Sequence, residues 1–297
     1  MAKIICGVDD SGPSRSAVRV ASALAEALDR QLVLLHAAKP TAPAEVGMGT
    51  YTYPPRVDVE RVAAVGEQLL ERLAFELGLP GDTEQRVELG HPSGVLAEAA
   101  VDPSVELVVV GIRRRGWLAT AFLGSVSSEV VARAPCPVLV VPPRARLTSG
   151  PLVCAVDDSP AARNAVRVAR RLGDALGVEL VLAHAVASTT VPSAAAVPGA
   201  SAELARDGRA WADELLARLA SEHELGTDVR RRVAVGSEAE AIARVAGEAR
   251  ASLVVVGTRR RGPLKALLAG SLSFELRATC PRPVVMVQAD ARLPVRW

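Results

Sequence analysis

The 297-residue sequence repeats itself almost end to end. GVDDSGPSRSAVRVA at 7–21 returns as AVDDSPAARNAVRVA at 155–169, and LVLLHA at 32–37 as LVLAHA at 180–185, both 148 positions later. LVVVGIRRRG at 107–116 returns as LVVVGTRRRG at 253–262, and LGSVS at 123–127 as AGSLS at 269–273, now 146 positions later. The two-residue change falls between the second and third strands of the unit, in irregular sequence that tolerates length variation. Solenoid units are about 20–50 residues, so this longer period reads as a duplicated domain. The expected units are 1–145 and 150–297, joined around PPRARLTSGP at 142–151.

Within a unit, short apolar runs alternate with helical patterns. In the first copy, strands are expected at Lys3–Val8, Gln31–His36, Gln85–Gly90, Glu106–Val110 and Pro137–Val141. Helices are expected at Gly12–Arg30, Val57–Leu77, Pro92 to about Val101, and Ser125–Arg133. Val18, Ala21, Ala25 and Leu28 recur at helical spacing, with Pro13 in the first turn behind Ser11 or Asp10 as cap. LVVV and VLVV are apolar throughout, so both faces of those strands are buried, as in a parallel sheet covered by helices. Right-handed crossovers then give an α/β fold: two tandem doubly wound domains, each a five-stranded parallel sheet of order 3-2-1-4-5 with helices on both faces. Ligands bind such sheets at the carboxyl ends of the strands where the order reverses, here between strands one and four.

Composition narrows the choices further. The chain is 49% hydrophobic and 23% charged, enough for a sizeable core. A net charge of +2 and an aromatic content of 3% argue against nucleic-acid partners and supply few stacking platforms. No apolar run reaches the ~18 residues of a membrane span, and MAKIICGVDDSG lacks a signal-peptide core, so a soluble cytoplasmic protein is expected. Cys6, Cys136, Cys154 and Cys280 sit in or beside apolar runs without C-x-x-C spacing and read as inert buried thiols. Lysine occurs only at Lys3, Lys39 and Lys265, so the basic charge is nearly all arginine.

Two segments flank the expected crevice. Strand one runs through Gly7 to Asp9 and Asp10; strand four ends in Gly111 and continues as Arg113, Arg114, Arg115 and Gly116. Gly124 and Ser125 then open a helix, whose free N–H groups and partial positive charge suit an anion. Gly111 permits a tight exit from the strand, Gly124 lets the backbone approach a phosphate, Ser125 adds a hydroxyl, and arginines add charge-assisted contacts. The second copy repeats the set as Asp157, Gly257, Arg259, Arg260, Arg261, Gly262, Gly270 and Ser271. The plainer readings are a helix-capping network for Asp9, a solvated loop for the arginines, and hydrogen-bonded strand ends for His36 and His184. Tyr51 and Tyr53, in the loop 38–56, read as surface residues, as do Arg144, Arg146 and the tail 291–297. No zinc spacing, Walker loop or nucleophile elbow occurs.

VDDS after strand one, LVLLHA and LVLAHA at strand two, VVVG with GS twelve residues on, and APCPVLVV at 134–141 together resemble the universal stress protein family in its tandem form. The resemblance implies ATP, with adenine near Gly7, Asp9 and Ala37, or Ala155, Asp157 and Ala185. It places the triphosphate over Gly111–Gly116 and Gly124–Val126, or over Gly257–Gly262 and Gly270–Leu272. Nucleotide-binding members read Gly-x2-Gly-x9-Gly-Ser/Thr after strand four. Gly111 with Gly124-Ser125, and Gly257 with Gly270-Ser271, match its ends, but the middle glycine is Arg114 or Arg260. If that position needs a positive φ, arginine there is strained by about 1 kcal/mol; alternatively its guanidinium replaces an N–H contact. Three readings therefore stand open: a regulatory ATP-binding protein with little turnover, an interaction scaffold without nucleotide, and a slow ATPase. Mg²⁺ carried by the phosphates and touched by Asp9 or Asp10 is a further expectation. The apolar strand five is a risky edge if exposed. The resemblance implies that it pairs with its counterpart, making the tandem chain an internal pseudo-dimer, with homodimerisation of whole chains also open.

Overall fold

The computed structural model describes residues 1–39, 59–112, 125–186, 200–226, 229–258, 276 and 280–293. The first half contains β1 (Lys3–Val8), α1 (Gly12–Leu28), β2 (Gln31–Ala38), α2 (Val59–Leu77), β3 (Glu84–Leu89), α3 (Pro92–Ala99), β4 (Val105–Gly111), α4 (Ser125–Arg133) and β5 (Val138–Val141). The second contains β6 (Leu152–Ala155), α5 (Pro160–Leu176), β7 (Leu180–Val186), α6 (Ala200–Glu222), β8 (Arg230–Val235), α7 (Glu238–Glu248), β9 (Leu253–Thr258) and β10 (Val284–Gln288). Each half is the α/β unit expected from the alternation, with parallel strands in the order 3-2-1-4-5. The two sheets are continuous: the full order is β3-β2-β1-β4-β5-β10-β9-β6-β7-β8.

The join is antiparallel, with Val284 opposite Val140, Val285 opposite Leu139 and Met286 opposite Val138. These residues are at most 1% exposed. Short four-residue β5 would be a poor apolar edge alone; paired, its unsatisfied backbone groups and valine side chains are both covered. The antiparallel sense also brings the end of β5 and the start of β6 to one side of the sheet. The short connection between them therefore suffices.

Two apolar layers result, because successive strand residues face opposite sides. Ile4, Cys6, Leu34, Leu107, Val109 and Leu139 face α1 and α2, and the layer continues under α5 and α6. Ile5, Val33, Leu35, Val108, Val110 and Val138 form the other layer with α3, α4 and α7. Both layers run through both halves. The four cysteines are free and buried in them, and burial pushes up the thiols of Cys6, Cys154 and Cys136, the last to about 12, so these three stay protonated.

Within the tail read as solvated, Arg292 is instead bound, while residues 294–297 lie outside the described residues. Arg292 donates to the carbonyls of Ala100, Val101, Asp102 and Val105, satisfying acceptors at the C-terminal end of α3 and the start of β4. Its backbone N–H donates to Pro135 O at 2.6 Å. Buried Gln288 donates to Val131 O in α4 at 2.7 Å. The second half thus closes the lower end of the first. Arg292→Ala should lower stability by about 1–3 kcal/mol, since hydrogen bonds from a charged donor are among the stronger ones. Denaturant unfolding checks this, and a midpoint equal to wild type would show the contacts to be idle.

Candidate functional site

The carboxyl ends of β1 and β4 lie side by side, with Gly7 paired to Val110. From there the chain leaves β1 to α1 on one face of the sheet and leaves β4 toward α4 on the other. This is the expected switch-point crevice, and it recurs between β6 and β9, which are also parallel neighbours. Because β5 and β10 are antiparallel, the two crevices open on opposite edges of the ten-stranded sheet.

Local chemistry builds the α1 wall. Ser11 is the N-cap, with extended backbone at φ −118° and ψ 156°, and its Oγ accepts from Ser14 N at 3.3 Å. Ser11 Oγ also donates to Asp9 Oδ1, and Asp9 N donates to Ser14 Oγ at 3.0 Å. The second half repeats the cap: Ser159 Oγ accepts from Ala162 N at 3.2 Å and donates to Asp157 Oδ1. The plainer capping role of Asp9 and Asp157 is therefore present in both halves. His36 Nδ1 donates to Val8 O at 2.9 Å and His184 Nδ1 to Val156 O at 2.7 Å, so both are strand-end ties.

Asp10 has a different role from the metal contact expected of it. Its carboxylate is bridged by Arg15 at 3.1 Å and Arg72 at 2.8 Å, and Glu76 faces the same two arginines at 3.3 and 3.9 Å. Asp158, Arg163, Arg218 and Glu222 repeat this four-residue clasp. It fastens the start of each long first helix to the end of the second. The Arg15 guanidinium, bonded to Asp10, holds that carboxyl below the ordinary aspartate value of 3.8, and Arg163 does the same for Asp158. No group of three or more metal-ligating side chains occurs among the described residues.

The two glycines ending β4 and β9 are placed by packing rather than by an unusual backbone. Neither is among the residues with positive φ. A Cβ on Gly111 would lie 2.7 Å from the Pro13 carbonyl carbon and oxygen; one on Gly257 would lie 2.6 Å from the Ala161 carbonyl carbon. Glycine lets the first turn of α1 or α5 sit directly on the strand end. A Cβ on Gly7 would come within 2.7 Å of Leu96 Cδ1, so α3 occupies that space. Ala37 and Ala185 are half-buried at the ends of β2 and β7, whereas Ala155 is only 2% exposed and offers a ligand little surface. Val126 is half-buried in the first turn of α4, which begins at Ser125. Arg113–Gly116, Gly124, Arg259–Gly262, Gly270–Leu272, Tyr51 and Tyr53 lie outside the described residues.

One further cluster had no sequence signal. Ser93, fully buried, donates to Glu129 Oε2 and accepts from His91 Nδ1 at 2.8 Å, linking α3 to α4. The Ser93 bond comes first among the causes that lower the Glu129 carboxyl. The serine proton points at the carboxylate, so this is a structural tie and not an activated nucleophile. Ala239 stands at the equivalent place in the second half.

Comparison with known proteins fits this architecture. A sequence model described as the universal stress protein family matches residues 1–142 and again 149–288. A universal stress protein of Mycolicibacterium smegmatis is 30% identical over 294 residues, covering 96% of each chain. One from Mycobacterium tuberculosis is 32% identical over 205 residues, 68% of each chain. The crystal structure of a universal stress protein from Archaeoglobus fulgidus superposes with a TM-score of 0.69 at 18% identity, covering 97% of this chain and 98% of the other; this is a likeness of fold.

Two outcomes follow from the geometry. Gly111→Ala and Gly257→Ala should each cost about 1–3 kcal/mol in protein free of nucleotide, because the added methyl meets backbone. A melting temperature equal to wild type would refute the packing role. The Asp10 and Asp158 carboxyls are held below their ordinary value in the fold, so their contribution is present above 3.8 and lost as pH falls through the folded value. Asp10→Asn with Asp158→Asn should melt earlier than wild type at neutral pH and converge with it in acid. Parallel curves across the whole pH range would count against the clasp.

Proposed function

The chain belongs to the universal stress protein family, and from that premise we propose that it is a regulatory protein that binds ATP in one or both halves with little or no turnover. The observation that carries this reading is the duplicated crevice: aspartate at the end of β1 or β6, glycine at the end of β4 or β9, and α4 beginning at Ser125 in the first half. A switch point between diverging connections is where open α/β sheets hold nucleotides. Gly7, Asp9 and Ala37 would take the adenosine end, as would Asp157 and Ala185 in the second half. Residues 113–116 with Gly124, Ser125 and Val126, and 259–262 with Gly270, Ser271 and Leu272, would take the phosphates. A bound triphosphate would supply negative charge and hydrogen-bond acceptors for the guanidinium, hydroxyl and backbone N–H groups of these residues.

Asp9 fits a positioning role. Its carboxylate already accepts from Ser11 Oγ, so it offers an acceptor fixed in direction rather than a general base. Asp10 is held by Arg15 and Arg72, so a Mg²⁺ would ride on the phosphates without it. A slow ATPase would need a water-activating group beside the phosphates.

A second reading rests on one specific departure. Arg114 and Arg260 stand where nucleotide-binding members have glycine, which favours an interaction scaffold that has given up the ligand. In either case we take the chain to be two domains, 1–145 and 150–297, acting in the cytoplasm as an internal pseudo-dimer. The β5–β10 ladder supports that assembly. No described helix is long and apolar enough to cross a membrane.

Native mass spectrometry of protein purified without added nucleotide separates the readings. ATP mass in stoichiometric amount is the expected result, with Ser125→Ala and Ser271→Ala together weakening ATP about tenfold, as for the loss of a hydrogen bond to a charged group. Bare chain, and no binding of added ATP, would leave the scaffold. Steady phosphate release by clean protein would instead establish turnover.

A further inference from the structure

A groove of about 540 Å³ lies beside α1, between its first two turns and the connection that follows β5. Arg15, Arg19, Arg144 and Arg146 line it, with Gly12, Pro13, Ser16, Pro143 and Ala145 as the rest of its wall. Arg15 is committed to Asp10 and Glu76. The guanidiniums of Arg19, Arg144 and Arg146 have no acidic or hydrogen-bonding partner among the described residues. Arginines gathered within a Debye length repel one another, and an anion relieves that repulsion.

The groove is built in. Arg144 holds a left-handed backbone at φ 62°, rare for a side chain other than glycine, asparagine or aspartate. Its N–H donates to the Oγ of buried Ser16 at 2.9 Å, which fixes the connection against α1. The second half has dismantled the equivalent arrangement. Asn164, at the place of Ser16, takes Arg167 on its Oδ1 at 2.6 Å and donates to Gln288 O and Ala289 O. Asp290 stands where the first half has Arg144, and Arg292, the counterpart of Arg146, is drawn away to α3. Duplicated sequence thus keeps the cationic groove in one half only.

We propose that this groove binds a small polyanion carrying two or more phosphate groups. Its volume suits a small molecule. Several separate guanidinium forks suit several phosphates better than one carboxylate. Among the described residues the lining has no aromatic side chain on which a base could stack, which disfavours a nucleic-acid strand. The groove runs along the flank of α1 and shares only the first turn of that helix, Gly12 and Pro13, with the wall of the strand-end crevice, so it does not rest on the ATP reading.

Isothermal titration of the full chain with sodium tripolyphosphate at low salt, with and without saturating ATP, tests the site. The expected result is one tripolyphosphate per chain that stays bound under saturating ATP, weakening steeply as salt is added. Arg144→Asp, which installs the second half's residue, should weaken binding at least about tenfold, and Arg19→Ala should do so by a comparable factor. Aspartate and glycine both tolerate the left-handed backbone, so Arg144→Asp and Arg144→Gly should melt no earlier than wild type. The proposal is overturned by any of several results: no heat at about 1 mM probe, where charge-assisted contacts of this number should bind; an affinity unchanged in Arg144→Asp; or tripolyphosphate displaced by ATP. Tighter binding of a single-stranded RNA that is also lost in Arg144→Asp would overturn the ligand class in favour of nucleic acid.

Discussion

The structure depends on the antiparallel ladder between β5 and β10. Val138, Leu139 and Val140 meet Met286, Val285 and Val284 across it, and both strands are buried on both faces. Without this pairing each half would end in a short, apolar, unpaired edge. With it, two five-stranded sheets become one, and the helical layers above and below become continuous. Gln288 and Arg292 extend the same contact, tying the end of the second half to α3, α4 and the residues before β5.

From that ladder the placement of the crevices follows. Reversing one sheet against the other turns the two sets of strand ends to opposite edges. Among the described residues each crevice is then framed by its own half: a capped helix start beside β1 or β6, and a glycine at the end of β4 or β9. The four-residue clasps stiffen this frame from outside by holding α1 to α2 and α5 to α6. Exposed ion pairs contribute little singly. Here the same geometry occurs twice, and each carboxylate is shared by two guanidiniums.

Much of the fold was legible because its signals are local or repeated. Apolar runs such as LVVV mark buried parallel strands, Ser11-x-Pro13 marks a helix start, and the recurrence at 148 and 146 positions marks the duplication. The placement of Asp9 and Gly111 at the ends of neighbouring strands was legible too. Their roles were less legible because those depend on neighbours distant in sequence. Gly111 looks like a turn residue, yet Pro13 from the start of α1 is what excludes a side chain there. Asp10 looks available until Arg72, sixty-two positions on, is folded beside it. Arg292 looks solvated because the carbonyls that hold it lie almost two hundred positions earlier. In the second half Ala155 aligns with Gly7, yet burial leaves it little contact surface.

The short connection from β5 to β6 has a consequence beyond geometry. A dimer of identical chains must carry every substitution twice, at symmetric places, and its assembly weakens on dilution. Here the partner is tethered, so its effective concentration is set by the linker and not by how much protein the cell makes. The two copies are also free to diverge. Arginine at 144 and aspartate at 290, serine at 16 and asparagine at 164, are combinations that no symmetric assembly of one subunit could hold.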